Sequence, residues 1–153
     1  MEKRDTIIFK TVLGNIKVFS IKEVIVLIKF TNKKIINSNS EILNKSKHQI
    51  KEYLSGNRTA FNIDIKLDGT KFQKRVWKQL SLIPYGKTIS YLALSNILRT
   101  SPRAIGNACA KNSLLIIIPC HRVISVKGKL TGFSAIGGIN TKEKLLQIEA
   151  TKI

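Results

Sequence analysis

Cysteine, histidine and arginine stand in a row at Cys120-His121-Arg122, directly after the bulky run Leu114 to Ile118 and Pro119. An isolated cysteine is ordinarily a small buried hydrophobe. Beside an imidazole and a guanidinium, at the end of a buried segment, the same residue suits a nucleophile, because positive neighbours favour the thiolate. Consecutive side chains of extended backbone point to opposite faces, so a turn after Pro119 or an intervening water must link the Cys120 sulfur to the His121 ring. The imidazole in turn needs an orienting acceptor. The segment "TKEKLLQIEATK" offers Glu143 and Glu149 on an amphipathic helix with Leu145, Leu146 and Ile148, and spacing does not choose between them. Cys109, Cys120, His48 and His121 are acceptable zinc ligands by type, but their spacing matches no usual zinc module and no metal is expected. His48, in a polar helical stretch, reads as a surface residue.

The elements that must hold these groups can be read outward from the thiol. Leu114 to Ile118 is too short for a helix and bulky at every position, which predicts a strand covered on both faces and ended by Pro119. Upstream, Thr70-Lys71-Phe72-Gln73 has the form of a capping box, opening a helix with the apolar stripe Val76, Trp77 and Leu80. Pro84 and Gly86 in "IPYGKT" stop it. Ser90 can cap a second helix carrying Leu92, Leu94, Ile97 and Leu98. Ser101-Pro102 opens a third, to about Lys111, with proline at the first helical position. Two capped helices joined by a short connection form a helix-turn-helix, or simply a packed pair. Ala104, Gly106, Ala108 and Ala110 leave room on the third helix, either for a neighbouring helix or for a nucleic-acid groove. Arg103 is long enough to enter a duplex, and could equally be a solvated surface charge.

The first half is rich in Ile, Val and Phe. "DTIIFKTVLGNIKVFSIKEVIVLIKF" reads as a small antiparallel sheet with a turn at Leu13-Gly14-Asn15. "EILNKSKHQIKEYL" follows with helical spacing and ends at Ser55-Gly56-Asn57. The alternation in "FNIDIKLDG" predicts an extended connector with Phe61, Ile63, Ile65 and Leu67 facing inward. The expected organisation is α+β: an N-terminal domain over 1–55, a connector over 56–68 and a mostly helical domain over 69–153.

The charge points to the partner. Among 153 residues, 27 Lys and Arg stand against 9 Asp and Glu, a formal net charge of +18. That imbalance exceeds what solubility requires and implies a polyanionic partner, nucleic acid or an anionic membrane. No apolar run approaches the length of a spanning helix, and "MEKRDTIIFK" lacks the apolar core of a secretory signal. Two cysteines make no disulfide framework. A soluble, cytoplasmic protein is expected.

The ordered set "GTKFQKRVWKQL", "IPYGKTISY", "SPRAIGNACAKN", "IPCHRV", "GKLTGF" and "KEKLLQIE" resembles the O6-alkylguanine-DNA alkyltransferases, the direct-reversal DNA repair proteins. The resemblance covers about Leu67 to Glu149, with Pro119-Cys120-His121-Arg122 its most specific part. It implies a ribonuclease-H-like α/β N-terminal domain and a winged-helix-type domain that holds the site. It also implies that Cys120 accepts the alkyl group, that His121 is its base through a water, and that Glu149 orients the imidazole. Tyr91 would assist the leaving guanine and crowd the DNA backbone, Arg103 would replace the flipped nucleotide, and Asn112 would join the recognition helix to the active-site strand. Ala104 would lie on the DNA-binding helix, and Cys109, Phe133 and Ser134 would line the guanine pocket, Ser134 also touching DNA. The chain departs from the family pattern at Asn112-Ser113, where Asn-Pro is common, and at Cys109, where methionine is frequent. The implied partner is double-stranded DNA containing O6-alkylguanine, with O4-alkylthymine a further candidate. The implied protein is a monomer that needs no cofactor and acts once per molecule. Two other readings use the same residues: a cysteine hydrolase, and a non-catalytic binder of alkylated DNA.

Overall fold

The computed structural model describes residues 2–128 and 138–150, which divide into two compact units, Met1–Asp68 and Gly69–Ile153. In the first, β1 (Arg4–Thr11), β2 (Gly14–Ile21) and β3 (Val24–Thr31) form an antiparallel sheet in that order. The first hairpin turns at Val12-Leu13, earlier than the sequence suggests. Thr11 is the reason: its hydroxyl donates to the Gly14 carbonyl at 2.6 Å and accepts from the Leu13 amide at 3.1 Å, while Gly14 takes φ +115° as β2 begins. The second hairpin turns at Lys22-Glu23, both at positive φ as a type I′ turn demands. Ile16, Val18, Ile25, Ile28 and Phe30 are buried, and helix α1 (Glu41–Leu54) buries Leu43, Ile50 and Tyr53. Ser40 caps α1 by accepting from the Leu43 amide. Single bridges from Ile36 to Ile8 and from Ile65 to Ile25 cover the sheet's two outer edges. Phe61, Ile63, Ile65 and Leu67 are half-buried and alternate with exposed residues, and this segment belongs to the first unit.

The second unit is mostly helical. Thr70 and Gln73 form the capping box of α2 (Lys71–Leu80), whose Val76, Trp77 and Leu80 are buried. A short strand β4 (Ile89–Ser90) leads into α3 (Tyr91–Leu98), capped by Ser90, and Ser101 caps α4 (Pro102–Ala110). Helix α2 fixes this pair at two points. Arg75 Nη2 donates to the Leu98 carbonyl at 2.7 Å, and the buried Trp77 Nε1 donates to the Ala108 carbonyl at 2.9 Å. Strand β5 (Val123–Ile124) pairs parallel with β4, and α5 (Gly138–Ala150) places Leu145 and Glu149 in the core.

Candidate active site

The segment Leu114 to Ile118 is buried at most positions, yet it is not the strand its composition predicts. The Asn112 side chain takes the place of a ladder: its Oδ1 accepts from the Leu114 amide at 2.9 Å and its Nδ2 donates to the Ile118 carbonyl at 2.8 Å. The chain between them closes into turns. Ile116 sits at φ +75° with the Ile117 amide donating to the Leu115 carbonyl, a γ-turn of the strained kind. Pro119, at φ −82° and ψ 64°, centres an inverse γ-turn in which the Cys120 amide donates to the Ile118 carbonyl at 2.8 Å. A single 3-10 turn, Cys120–Arg122, follows and places all three side chains in the interior. The turn required after Pro119 is therefore present.

Each buried group has partners. Asn112 Nδ2 lies 3.3 Å from Cys120 Sγ. The fully buried His121 ring meets Glu149 Oε2 at 2.6 Å through Nε2. Of the two candidate acceptors, Glu149 is the one in contact. Arg122 turns the same way: its Nε and Nη2 donate to the two Glu149 oxygens at 2.8 and 3.1 Å, and its Nη1 donates to the Ile83 carbonyl at 2.7 Å. The Gly86 amide adds a further donor to Glu149 at 3.1 Å. Lys142, buried on α5, donates to the Val123 carbonyl at 2.6 Å, and its Nζ lies 3.5 Å from the Tyr91 hydroxyl.

The electrostatics correct one expectation. Positive neighbours were expected to hold Cys120 as a thiolate; instead burial pushes the Cys120 thiol up, outweighing the opposite pulls of the Asn112 hydrogen bond and the Lys142 charge. The guanidinium next in sequence is committed to Glu149. Burial also lowers His121 below the usual imidazole value, against the upward pull of Glu149, with Arg122 and Lys142 adding to the lowering. Both shifts favour a neutral thiol and a neutral imidazole. Cys109, buried on α4, is pushed up to about 12, chiefly by burial, with Cys120 adding to the rise and Lys142 opposing it.

The structure thus gathers Cys120, His121, Glu149 and Asn112 into one buried cluster. Tyr91 and Arg103 line an open groove of about 650 Å³ with Leu92, Gly106, Asn107 and Val126. Ala104 is half-buried on α4 and faces a neighbouring hollow with Thr70, Gln73 and Lys111. Phe133 and Ser134 lie outside the described residues. Among the described residues, no group of three or more His, Cys, Asp or Glu side chains could hold a metal ion. The sequence reading missed Lys142 altogether and missed Arg122 as a partner of Glu149. A signal for the first existed, since Lys142, Leu145 and Glu149 fall on one helical stripe.

Two family models match, the 6-O-methylguanine DNA methyltransferase ribonuclease-like domain over residues 6–67 and the DNA binding domain over residues 71–151. The chain belongs to the 6-O-methylguanine DNA methyltransferase family. Its ribonuclease-like domain precedes its DNA-binding domain, an α+β organisation. The methylated-DNA--protein-cysteine methyltransferase of Mycobacterium tuberculosis is 45% identical over 106 residues, covering 68% of this chain and 63% of that protein. The protein of the same name from Methanosarcina acetivorans is 38% identical over 115 residues, 74% of this chain and 72% of that one. The match thus spans somewhat less than two thirds of the mycobacterial relative's length. Among solved structures, the Mycobacterium tuberculosis O6-methylguanine methyltransferase superposes with a TM-score of 0.87 at 31% identity, covering 99% of this chain and 95% of that one. The mycobacterial protein in complex with DNA gives 0.85 at 33% identity, over 95% and 92%. No helix among the described residues of this family member is long and apolar enough to cross a membrane.

Proposed function

We propose that this protein repairs duplex DNA by extruding an O6-alkylguanine and moving its alkyl group irreversibly onto Cys120. The observation that carries the reading is the buried cluster itself, a thiol held by Asn112 next to an imidazole held by Glu149. Its bearing comes from the family to which the chain belongs. A thiol this enclosed cannot reach a base that remains stacked, so the nucleotide must leave the duplex, at a cost of a few kcal/mol. Arg103, exposed at the start of α4, fills the vacated stack. Basic side chains hold the phosphates, and only Glu143 and Glu149 of the nine acidic residues fall after residue 68.

With Glu149 ionised, His121 Nε2 carries a hydrogen and donates to it, which leaves the lone pair on Nδ1. The Cys120 proton passes to that nitrogen through a water, and the sulfur attacks the alkyl carbon in line. The carbon–O6 bond breaks with its electron pair remaining on guanine. A proton from the Tyr91 hydroxyl neutralises the leaving base, and solvent returns the proton from the imidazolium to tyrosine. The product thioether is a poor leaving group towards water, so each molecule reacts once. Cys109, Phe133 and Ser134 are proposed as lining of the guanine pocket, Ala104 and Ser134 as DNA contacts, and the protein as a monomer in the cytoplasm.

Duplex carrying a labelled O6-methyl group tests this. One label per protein molecule on Cys120 is the expected result. Turnover beyond unity would point to a hydrolase, and binding with the label left on DNA to a lesion binder; either overturns the proposal.

A further inference from the structure

Among the described residues, four N–H groups converge on one carboxylate. Glu149 accepts from His121 Nε2 at 2.6 Å, Arg122 Nε at 2.8 Å, Arg122 Nη2 at 3.1 Å and the Gly86 amide at 3.1 Å. A carboxylate has about four acceptor sites, so these donors are enough to occupy it as an ionised acceptor. Arg122 is itself fixed on its remaining sides, by the Ile83 carbonyl at 2.7 Å and by the Tyr85 ring, whose centroid is 5.7 Å from the guanidinium carbon. All of these groups belong to the second unit, and none lines the groove that carries Arg103.

A buried carboxylate without a cation tends to take up a proton. Here a proton on Glu149 would turn an acceptor into a donor and set it against an N–H that has nowhere else to go, leaving a buried donor unpaired. Resting on the alkyl-transfer reading above, we propose that Arg122 is a positioning residue: it keeps Glu149 ionised, so that the proton leaving Cys120 comes to rest on His121 as imidazolium and does not travel on to the carboxylate. The planar guanidinium fork suits this task because it engages both oxygens at once, which an ammonium cannot do. Among the described residues, the charged groups facing the imidazole are Glu149 and Lys142 from α5 and Arg122 from its own turn. Removing Arg122 therefore raises the affinity of the His121–Glu149 pair for a proton, whichever of the two holds it.

The test compares wild type with Arg122→Gln and Arg122→Lys. The chain has only two histidines, so a protein labelled with ¹⁵N-histidine reports His121 against a single other signal, His48. Wild type is expected to hold His121 as the neutral Nε2–H tautomer at pH 7. In Arg122→Gln, proton uptake by the pair and the acid limb of the transfer rate both move up by about one pH unit or more, so that the rate on that limb falls roughly tenfold. Transfer recovers at alkaline pH, and Arg122→Lys shows a smaller displacement of the same sign. A rate lowered by one factor at every pH, with an unmoved imidazole titration, would assign Arg122 a purely structural role and overturn the proposal. If Arg122→Gln does not fold, Arg122→Lys decides: an unmoved titration with slower transfer overturns it. A wild-type protein that accepts no label would sink the alkyl-transfer reading instead, while the imidazole titration, which needs no transfer, would still judge the clamp on Glu149.

Discussion

The Asn112 side-chain nitrogen lies 2.8 Å from the Ile118 carbonyl and 3.3 Å from the Cys120 sulfur, so one amide both closes the buried turn and touches the nucleophile of the proposed reaction. Asn112→Ala removes these contacts, strands the Leu114 amide in the interior and leaves the Ile118 carbonyl with the Cys120 amide as its donor. The expected cost is about 1–3 kcal/mol, the range for leaving a buried backbone donor unpaired. Urea unfolding measures it, and labelled transfer to the folded variant should be at least roughly tenfold slower, since that factor corresponds to only about 1.4 kcal/mol of barrier. An unchanged rate at reduced stability would separate the fold's need for Asn112 from the site's.

Cys120 and Cys109 are both buried thiols, yet only Cys120 follows the turn that places His121 and Arg122 against Glu149. Cys120→Ser is expected to abolish transfer from labelled duplex, whereas Cys109→Ser retains it. Loss of transfer in Cys109→Ser with Cys120 intact would move the acceptor to α4.

Much of this arrangement is legible in the chain. The capping box at Thr70 and Gln73, the serine caps at Ser90 and Ser101 and the proline opening α4 act within one turn of helix, so their residue types suffice to place them. The interior of the site is different. The segment Leu114 to Ile118 has the composition of a strand, but a side chain two residues before it takes up its amide and carbonyl. Arg122 sits beside Cys120 in sequence while its guanidinium serves a carboxylate 27 residues away. Neighbouring charge suggested a thiolate; burial, which depends on the whole unit, pushes the balance towards the thiol.

Cys109 gives that burial a measurable consequence. Its thiol, ordinarily near 9.0, is pushed up to about 12 in the folded protein, so between those values the folded chain keeps a proton that the unfolded chain releases. The stabilisation is complete below pH 9 and is lost as pH rises above it, by about 1.4 kcal/mol per unit for one proton. Denaturant unfolding at pH 8, 9 and 10 should therefore show a steeper loss in wild type than in Cys109→Ala. Parallel slopes would mean that the Cys109 thiol is not held protonated by the fold.

Gly69 stands at the first position of the second unit, where an added Cβ would lie 2.6 Å from both the Trp77 ring and the Gln73 side-chain oxygen. Trp77 is buried and tied to Ala108, so it cannot simply swing aside. Gly69→Ala should destabilise the protein by about 1–3 kcal/mol, as overpacking does, and thermal unfolding checks it. A neutral substitution would show that the capping box and the indole can shift together.

Gly106 offers the opposite test. A Cβ built there meets no atom within 4 Å, and its φ lies outside the left-handed region, so the packing of neighbouring helices does not explain a glycine in mid-α4. In the free protein Gly106→Ala should raise stability by about 0.5–1 kcal/mol, the helix-propensity difference between the two residues. The same methyl group would project into the groove that Gly106 lines with Arg103 and Asn107, and on the proposed function, with α4 facing the duplex, it would hold the DNA away. The expected variant is therefore more stable yet binds duplex more weakly and repairs it more slowly, while its reaction with free O6-alkylguanine is unchanged. Calorimetry and duplex titration at fixed salt measure the two arms. Stability and DNA affinity rising together would mean that α4 does not approach DNA through Gly106.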